Sequence, residues 1–324
     1  MDRILIFANP ISGRGRGLRA ARQIEEELRR RGYHVTTVMS RAESASLGPE
    51  DRAAKAAIVI GGDGTLRGVA QWALDSPGGK PPCPLLIVPT GTANLMGKHL
   101  GIQWDDERIG QQVAAALERH RIVHLDAARM GDGIFLLMAG VGFDAAVIHE
   151  LERLRRGPIG IGSYIRPLLR AAASYRFPPL SVRVDGRVVF ESAAALAMVG
   201  NIREYGTGFA VLPDARPDDG VLDVCVMPCA SMWELAELTM AAAAGEHTLR
   251  EGVVYVKGRR VSIESAEGVP VQVDGEAAGT TPLEIELMEA KVGFVVPGER
   301  VWGVGVQGSG FRVQQGGMTK PETP

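Results

Sequence analysis

The sequence has no long hydrophobic run: no apolar segment approaches the roughly 18 residues that a membrane-spanning helix needs. It has only three cysteines, Cys83, Cys225 and Cys229, and no Cys-x-x-Cys pair. An odd count without paired spacing argues against a disulfide framework and favours a reducing compartment. Met1-Asp2-Arg3 leads straight into a strand-like segment, which is not typical of a secretory signal. We therefore expect a cytoplasmic protein whose contact with the inner face of a membrane is transient.

The sequence also lacks an excess of charge of either sign. Its 36 basic and 38 acidic side chains leave a net charge of −2, so no global field recruits nucleic acid or anionic lipid. The six histidines show no metal-ligand spacing. Glycine, by contrast, is abundant: 41 of 324 residues, which indicates many tight turns and close approaches of the backbone to ligands.

Hydrophobic periodicity divides the chain into two predicted domains. In residues 1–125, apolar strands alternate with helices, which predicts a doubly wound parallel α/β domain with ligands at the carboxyl ends of its strands. In residues 126–297, short strands, including one at 292–296, surround helical stretches near 144–176 and 231–244. This pattern predicts an antiparallel β-sandwich with a few helices, and the stretch at 239–244 is interpreted as a buried helix. Residues 298–324 are predicted to be a tail that partly packs on the first domain or is disordered.

Three polar, glycine-rich loops follow strands of the first domain, at residues 9–13, 61–65 and 89–94. Because parallel strands end at the same edge of a sheet, we expect the loops to meet there. Backbone N–H groups, helix N-termini and hydroxyls suit a triphosphate, and Asp63 can hold Mg²⁺ against its oxygens. None of these loops contains a Walker A or a Gly-x-Gly-x-x-Gly motif, so the P-loop and dinucleotide-binding interpretations lack their signatures.

Each acidic motif also has a purely structural interpretation. Asp63 could cap the helix that follows it, and otherwise we expect it in a water-exposed loop on which little packing depends. The Asp218-Asp219-Gly220 sequence suits a hard cation, and Asp274-Gly275 could precede a functional carboxylate. Both are nevertheless common turn sequences.

Taken in order, the motifs resemble the diacylglycerol kinase and sphingosine kinase family from about residue 3 to residue 297. The matching segments are Asn9-Pro10-x-Ser12-Gly13, Gly61-Gly62-Asp63-Gly64-Thr65, Pro89-x-Gly91-Thr92-x-Asn94, Gly140-x-Gly142-Phe143-Asp144, Asp218-Asp219-Gly220-x-Leu222-Asp223 and Asp274-Gly275-Glu276. The resemblance implies a first domain similar to NAD kinase and phosphofructokinase, followed by a β-sandwich that binds lipid. It also implies an ATP-dependent kinase that transfers the γ-phosphate of Mg·ATP to a lipid hydroxyl, with diacylglycerol as the leading acceptor.

The same resemblance implies roles for individual residues. Glu276 would be the general base, with Asp274 beside it and Asp63 as a third catalytic residue. Asp219 would bind a structural Mg²⁺ together with main-chain carbonyls near Arg216 and Val221. The partners would be ATP and a lipid at a membrane surface, without nucleic acid, and a homodimer is compatible with this interpretation. The nucleotide site would comprise Asn9, Ser12, Gly13, Ser40, Gly61, Gly62, Asp63, Gly64, Thr65, Thr92 and Asn94.

One position departs from the family pattern. Many bacterial diacylglycerol kinases carry an aspartate after the asparagine of the third loop, whereas this chain has Leu95, and sphingosine-kinase-like members also lack that aspartate. A sphingosine-type or other lipid kinase is therefore an alternative. An NAD kinase is another, although none of Asn9, Asn94 and Asn201 is followed by the glutamate it would need. A third is a non-catalytic, nucleotide-regulated lipid-binding module, which the presence of Asp63 and Glu276 opposes.

The segment 151–176 mixes arginines with Leu, Ile and Tyr. This pattern is typical of an interfacial helix that meets anionic headgroups. An ordinary solvated face on a packed helix is the alternative interpretation. The arginines are Arg153, Arg155, Arg156, Arg166, Arg170 and Arg176.

Overall fold

A computed structural model describes residues 2–10, 12–39, 47, 51, 53–75, 83–154, 161–206 and 209–298. Ser40, Arg155, Arg156 and the predicted tail from residue 299 lie outside the described residues. None of the helices in the described part is long and apolar enough to cross a membrane.

The elements follow the alternation predicted from the sequence. The first part of the chain comprises β1 (Arg3–Ala8), α1 (Arg16–Arg30), β2 (His34–Val38), β3 (Ala56–Gly61), α2 (Asp63–Leu74), β4 (Leu85–Pro89), α3 (Leu95–His99), α4 (Ile109–Arg119) and β5 (Ile122–Leu125). The rest comprises β6 (Ala128–Met130), β7 (Gly133–Phe135), β8 (Met138–Val141), α5 (Phe143–Leu154), α6 (Ile165–Ser174), β9 (Pro179–Val184), β10 (Arg187–Gly200), β11 (Glu204–Tyr205), β12 (Phe209–Ala210), β13 (Leu222–Pro228), α7 (Met232–Ala244), β14 (Val254–Gly258), β15 (Arg260–Glu264), β16 (Pro270–Val273), β17 (Glu276–Thr280), β18 (Leu283–Leu287) and β19 (Val292–Val295).

The first sheet has the strand order β2-β1-β3-β4-β19-β5. Strands β1 to β4 pair in parallel, and alternate residues of each strand face opposite sides. Ile4 and Ile6 pack in one cluster with apolar residues of α1 and α4. Leu5 and Phe7 pack in another cluster with residues of α2. The predicted parallel α/β architecture is confirmed.

The last strand differs from its prediction. Residues 292–296 were expected in the β-sandwich, but β19 enters the first sheet between β4, to which it is parallel, and β5, to which it is antiparallel. Val292, Phe294 and Val295 are completely buried there. A strand buried on both faces is equally apolar in either sheet, so its sequence does not indicate its partners.

The second part of the chain forms the predicted antiparallel sandwich. Strand β10 is long enough to join both of its layers: its first half pairs with β9, and its second half pairs with β8 and β13. The register with β9 shifts on both sides of Phe190, and β10 exchanges β9 for β13 and β8 after Ala194. Side chains from both layers form one apolar core, which includes Val182, Val199 and Val271.

Helix α7 does not match the expectation of a buried helix. Leu238 is its only fully buried side chain, whereas Trp233 is 73% exposed and Met240 is 64% exposed. The helix contacts β12 and the turn at residues 247–249, and its remaining residues are half-buried or exposed. The apolar composition of a helix does not show how many neighbouring helices and strands are available to bury it.

Candidate functional site

The three glycine-rich loops meet at the carboxyl edge of the first sheet, as predicted. Asn9 donates from Nδ2 to Oγ1 of Thr65 over 3.4 Å, which joins the first loop to the second. Ser12 Oγ lies 2.8 Å from Thr90 Oγ1, which joins the first loop to the third. The backbone N–H of Thr90 also donates to the carbonyl of Gly61. The loops therefore form one continuous surface.

Glycine is sterically required where these loops touch. A Cβ added at Gly91 would lie 2.5 Å from Cα of Gly62, and one added at Gly61 would lie 2.5 Å from Oγ1 of Thr65. Gly13 has a φ of 62°, and a Cβ there would lie 2.9 Å from the carbonyl oxygen of Thr90. Larger residues would separate the loops, so the glycines create the surface on which backbone N–H groups can approach a ligand.

Asp63 has a different environment from the water-exposed loop that was expected. It is the first residue of α2, and its carboxylate accepts hydrogen bonds from the backbone N–H groups of Leu95 (3.0 Å) and Met96 (3.2 Å). It thus caps α3 rather than its own helix. Burial raises the pKa of Asp63 above its usual value, against the lowering effect of these two hydrogen bonds.

Asn94 shapes the third loop through its own backbone contacts. Its φ of 49° is left-handed, its Oδ1 accepts from the N–H of Gly91 (2.9 Å), and its Nδ2 donates to the carbonyl of Gly91 (2.8 Å). Thr92 is exposed on the same loop. Asn94 therefore fixes the turn, and Thr92 is the side chain that this turn presents to solvent.

Glu276, the first residue of β17 in the second part of the chain, lies against the glycine-rich loop of the first. A Cβ added at Gly64 would lie 2.5 Å from Oε1 of Glu276. Arg67 of α2 forms a hydrogen-bonded ion pair with Oε2 of Glu276 and donates to the carbonyl of Val273 over 2.9 Å. The Glu276 side chain is 47% exposed, so it remains open to a ligand.

Arg67 was missed by the sequence reasoning. Part of the evidence for Arg67 was present in the sequence. Arg67 lies three residues after Gly64, near the start of α2, and therefore at the edge of the sheet where the loops meet. Its partner on β17 is 209 positions away, and no local pattern encodes that distance.

Asp274 lies two residues before Glu276 but points into the protein. Its carboxylate accepts three hydrogen bonds of 3.0 Å, from the N–H groups of Leu136, Leu137 and Met138. Burial raises the pKa of Asp274 to about 6, although these hydrogen bonds and the charge of Arg67 act in the opposite direction. The Asp274 carboxylate thus ties residues 136–138, where β8 begins, to the turn that carries Glu276.

A cleft with a volume of about 580 Å³ opens beside Glu276, between α2 and the sandwich. Arg67, Gln71, Asp132, Ile134 and Ala277 are among the residues that line it. Polar and apolar groups contribute about equally to its lining. A second groove, of about 830 Å³, lies over β15 and β18, away from the glycine-rich loops.

Asp144 forms a separate buried polar cluster. Its Oδ2 accepts from Nε2 of Gln272 over 3.3 Å, and it also forms a hydrogen bond with Tyr205. Gly140 leaves the space for this carboxylate, because a Cβ there would overlap it. Burial raises the pKa of Asp144 to about 6. The family-like segment 140–144 is therefore a packing motif around a buried acid.

The turn that carries Arg216, Asp219 and Val221 precedes β13. Asp219 accepts from the backbone N–H of Val221 (3.3 Å) and from Nζ of Lys257 (3.2 Å). Its recorded partners are thus residues of the sandwich and not of the glycine-rich loops. The structure therefore separates this turn from the other predicted site residues.

Comparison with known proteins gives matches along most of the chain. The model of the diacylglycerol kinase catalytic domain matches residues 3–130, and that of the YegS C-terminal NAD kinase beta sandwich-like domain matches residues 138–296. A diacylglycerol kinase of Staphylococcus carnosus is 27% identical over 86% of this chain and 90% of its own length. One of Mycobacterium tuberculosis (strain ATCC 25618 / H37Rv) is 27% identical over 92% of this chain and 96% of its own length.

Solved structures share the fold. A crystal structure of a diacylglycerol kinase from Bacillus anthracis has a TM-score of 0.67 at 24% identity and covers 91% of this chain and 96% of its own. A crystal structure of an NAD kinase from Archaeoglobus fulgidus in complex with ATP has a TM-score of 0.53 at 17% identity and covers 91% and 93%. At these identities the likeness establishes the two-part architecture alone.

Proposed function

We propose, from the premise that the chain belongs to the diacylglycerol kinase catalytic-domain family, that it transfers the γ-phosphate of Mg·ATP to the hydroxyl of diacylglycerol. Membership makes the chain a lipid kinase, an enzyme that phosphorylates an alcohol acceptor. Both relatives described above, from Staphylococcus carnosus and Mycobacterium tuberculosis, are named diacylglycerol kinase. A sphingoid base or another lipid alcohol is the alternative acceptor.

The contact between Glu276 and Gly64 carries the proposal. Phosphoryl transfer requires the acceptor hydroxyl and the γ-phosphate to be held together, with little covalent chemistry left to the protein. Here the carboxylate from the second part of the chain touches the loop that suits a triphosphate in the first. A hydroxyl bound at Glu276 would therefore lie next to the phosphates.

The roles of the loop residues follow from their positions. Backbone N–H groups around Gly62 and Gly91, with the hydroxyls of Ser12 and Thr65, would hold the phosphates. Each carboxylate oxygen of Asp63 keeps a lone pair after its hydrogen bond to α3, and these could meet the Mg²⁺ that ATP brings, directly or through water. Ser40 was assigned to the same site and lies outside the described residues.

Glu276 would accept the hydroxyl proton as the new P–O bond forms. Arg67 would position it, because the guanidinium binds both the Glu276 carboxylate and the carbonyl of Val273. Asp274 would support catalysis only by holding the turn that carries Glu276 in place, because its carboxylate accepts hydrogen bonds from three backbone N–H groups. The 580 Å³ cleft beside Glu276 would receive the glycerol end of the lipid.

Helix α6 would place this cleft at a membrane surface. Ile165 is 62% exposed and Leu169 is 66% exposed, and the exposed Arg166 and Arg170 lie on the same helix. Exposed apolar side chains flanked by arginine suit the interface of an anionic membrane. The helix packs on α5, which in turn packs on β17, the strand that begins with Glu276.

A phosphate-transfer assay with γ-labelled ATP tests the proposal. Purified protein is offered defined diacylglycerol, a sphingoid base, total extracted lipid and NAD in parallel, each with and without Mg²⁺. We expect label in phosphatidic acid, dependent on Mg²⁺ and strongly reduced in Glu276→Gln. Label in the phosphorylated sphingoid base would reassign the acceptor. Label only in phosphorylated NAD, or ATP binding without any transfer, would overturn the proposal.

A further inference from the structure

The turn that carries Glu276 has little packing of its own. It joins β16 to β17, and its residues Asp274 and Gly275 have left-handed φ angles of 49° and 82°. Gly275 is exposed, and a Cβ added there would meet no atom within 4 Å. The direction in which Glu276 points therefore depends on the hydrogen bonds that hold this turn.

Gln272 holds the turn from inside the protein. Its side chain is completely buried, and its Oε1 accepts from the backbone N–H of Gly275 over 2.9 Å. Side chains alternate along a strand, so Gln272 lies on the face of β16 opposite to Val271 and Val273, which belong to the core of the sandwich. Because Gly275 directly precedes Glu276, the bond from Gln272 fixes the backbone next to the proposed base.

Asp144, the second residue of α5, orients the amide of Gln272. Its Oδ2 accepts from Nε2 of Gln272 over 3.3 Å. Burial raises the pKa of Asp144 to about 6, so at neutral pH its carboxylate is ionised and can only accept hydrogen bonds. The amide nitrogen of Gln272 must then face Asp144, and the amide oxygen must face the N–H of Gly275. The reversed amide would set two acceptors against each other at one end and two donors at the other.

Gly140 allows the two side chains to meet. It lies opposite Gln272 in the register of β8 with β16. A Cβ at Gly140 would lie 2.2 Å from Oδ2 of Asp144 and 2.6 Å from Nε2 of Gln272, so any larger residue would separate them. Tyr205 of β11 also forms a hydrogen bond with Asp144, which fixes the carboxylate from a second side. One chain of hydrogen bonds thus runs from the start of α5 to the turn.

We propose that Asp144 and Gln272 are positioning residues for the general base: Asp144 orients the amide of Gln272, and Gln272 holds Gly275 so that the Glu276 carboxylate stays against Gly64. This inference rests on the proposed function, because neither side chain is given chemistry of its own. A displacement of about 1 Å at a reacting group can cost roughly 10²-fold in rate. A hydrogen bond next to Glu276 can therefore matter for turnover even though its two side chains are buried behind the turn.

Steady-state kinetics of Gln272→Met provide the first test. Methionine has nearly the same length as glutamine but has no amide to accept from Gly275. We expect kcat to fall by about 10–100-fold, with the affinity for ATP unchanged, because the nucleotide loops keep their own contacts. Gln112→Met is the matched control: Oε1 of Gln112 accepts from the backbone N–H of Asp105 over 2.9 Å, so the same kind of bond is lost on α4. Its turnover should equal that of the wild type.

A double variant separates positioning from a purely structural role. Residues that act through one another have non-additive effects, so Gln272→Met should cause no further loss of turnover when Glu276 is already replaced by glutamine. A structural role would lower turnover by the same factor in both backgrounds. Asp144→Leu should resemble Gln272→Met, and Asp144→Asn, which keeps an oxygen acceptor for Nε2 of Gln272, should recover most of the turnover.

Two results would overturn the proposal while leaving the proposed function intact: full turnover in Gln272→Met, or losses that multiply in the double variant. Full turnover in Glu276→Gln would instead remove the base and this inference together. If Gln272→Met does not fold, hydrogen exchange of the wild type decides. Asp185 and Gly186 form a turn with the same pair of left-handed residues. Exchange at the N–H of Gly275 slower than at Gly186 supports the proposal, and equal rates refute it.

Discussion

At the residue scale, the most informative position is Glu276. It contacts Gly64 and Arg67 of the first domain while staying 47% exposed, so a change there should affect chemistry more than folding. Glutamine has nearly the same shape but cannot accept a proton. We expect Glu276→Gln to reduce turnover by about 10²–10⁴-fold, with ATP affinity and melting temperature close to wild type. Steady-state kinetics and nucleotide titration provide the measurement.

Asp274→Asn is the control for that experiment. Asparagine keeps only one of the oxygens that accept from Leu136, Leu137 and Met138, so this variant should lose stability by about 1–3 kcal/mol. If Asp274→Asn stays as stable as the wild type and loses turnover while Glu276→Gln remains active, then Asp274 is the base and the assignment here is wrong.

Asp63 combines a proposed role at Mg·ATP with a structural one. Because its carboxylate caps α3 through Leu95 and Met96, Asp63→Asn should abolish most activity and also lower stability by about 1–2 kcal/mol. Asp106→Asn, which changes an exposed aspartate paired with exposed Arg16, should do neither. Denaturant titration and kinetics separate the two effects, and full turnover at saturating Mg·ATP would exclude the proposed role.

Asp144 should make stability depend on pH. Burial raises its pKa in the folded protein to about 6, from an ordinary value of 3.8, so between these values the folded protein binds more protons than the unfolded chain. The contribution of Asp144 to stability is therefore fully present below about pH 4 and declines as the pH rises through 6. At about 1.4 kcal/mol per pKa unit, the change is on the order of 3 kcal/mol.

The measurement compares the wild type with Asp144→Asn by urea unfolding from pH 4 to pH 7.5. The free energy of unfolding of the wild type, relative to the variant, should fall across this range. A difference that stays flat or rises with pH would show that the buried carboxylate is not protonated near pH 6.

At the scale of elements, α6 decides how the protein meets a membrane. Arg166→Gln together with Arg170→Gln should lower activity on anionic vesicles more than on detergent-solubilised lipid, since each basic side chain near such a surface is worth about 1 kcal/mol. Salt should imitate the substitution, because exposed charges are screened within about 8–10 Å. Arg22→Gln with Arg29→Gln on α1 provides a control of equal charge. Equal losses on vesicles and in detergent would place the α6 arginines in folding or catalysis instead.

At the scale of the whole molecule, β19 makes the two domains depend on each other. A fragment of residues 1–125 lacks the strand that separates β4 from β5, and so exposes apolar strand edges. We expect this fragment to aggregate or to unfold without cooperativity, whereas the full chain should unfold cooperatively. Size-exclusion chromatography and near-ultraviolet circular dichroism are the measurements. A monomeric fragment with a sharp thermal transition would contradict this expectation.

The sequence alone determined the features that local periodicity encodes. The alternation of strands and helices predicted the parallel α/β sheet and the sandwich, because side-chain period follows from backbone geometry. The order of the glycine-rich loops predicted that they would meet at one sheet edge, because parallel strands share a direction. The motifs were sufficient to identify the family, since their order and spacing hold along nearly the entire chain.

The tertiary structure decided what depends on partners far apart in the sequence. The sequence of β19 is as apolar as that of a sandwich strand, and only its hydrogen-bonded pairing with β4 and β5 shows that it belongs to the first sheet. Arg67 meets Glu276 across 209 positions, and Asp63 caps a helix 32 residues away. Lys257 on β14 and Lys291 just before β19 contact the acidic turn from distant parts of the sequence. Charge compensation and strand pairing are set by distance in space, and local sequence patterns do not record that distance.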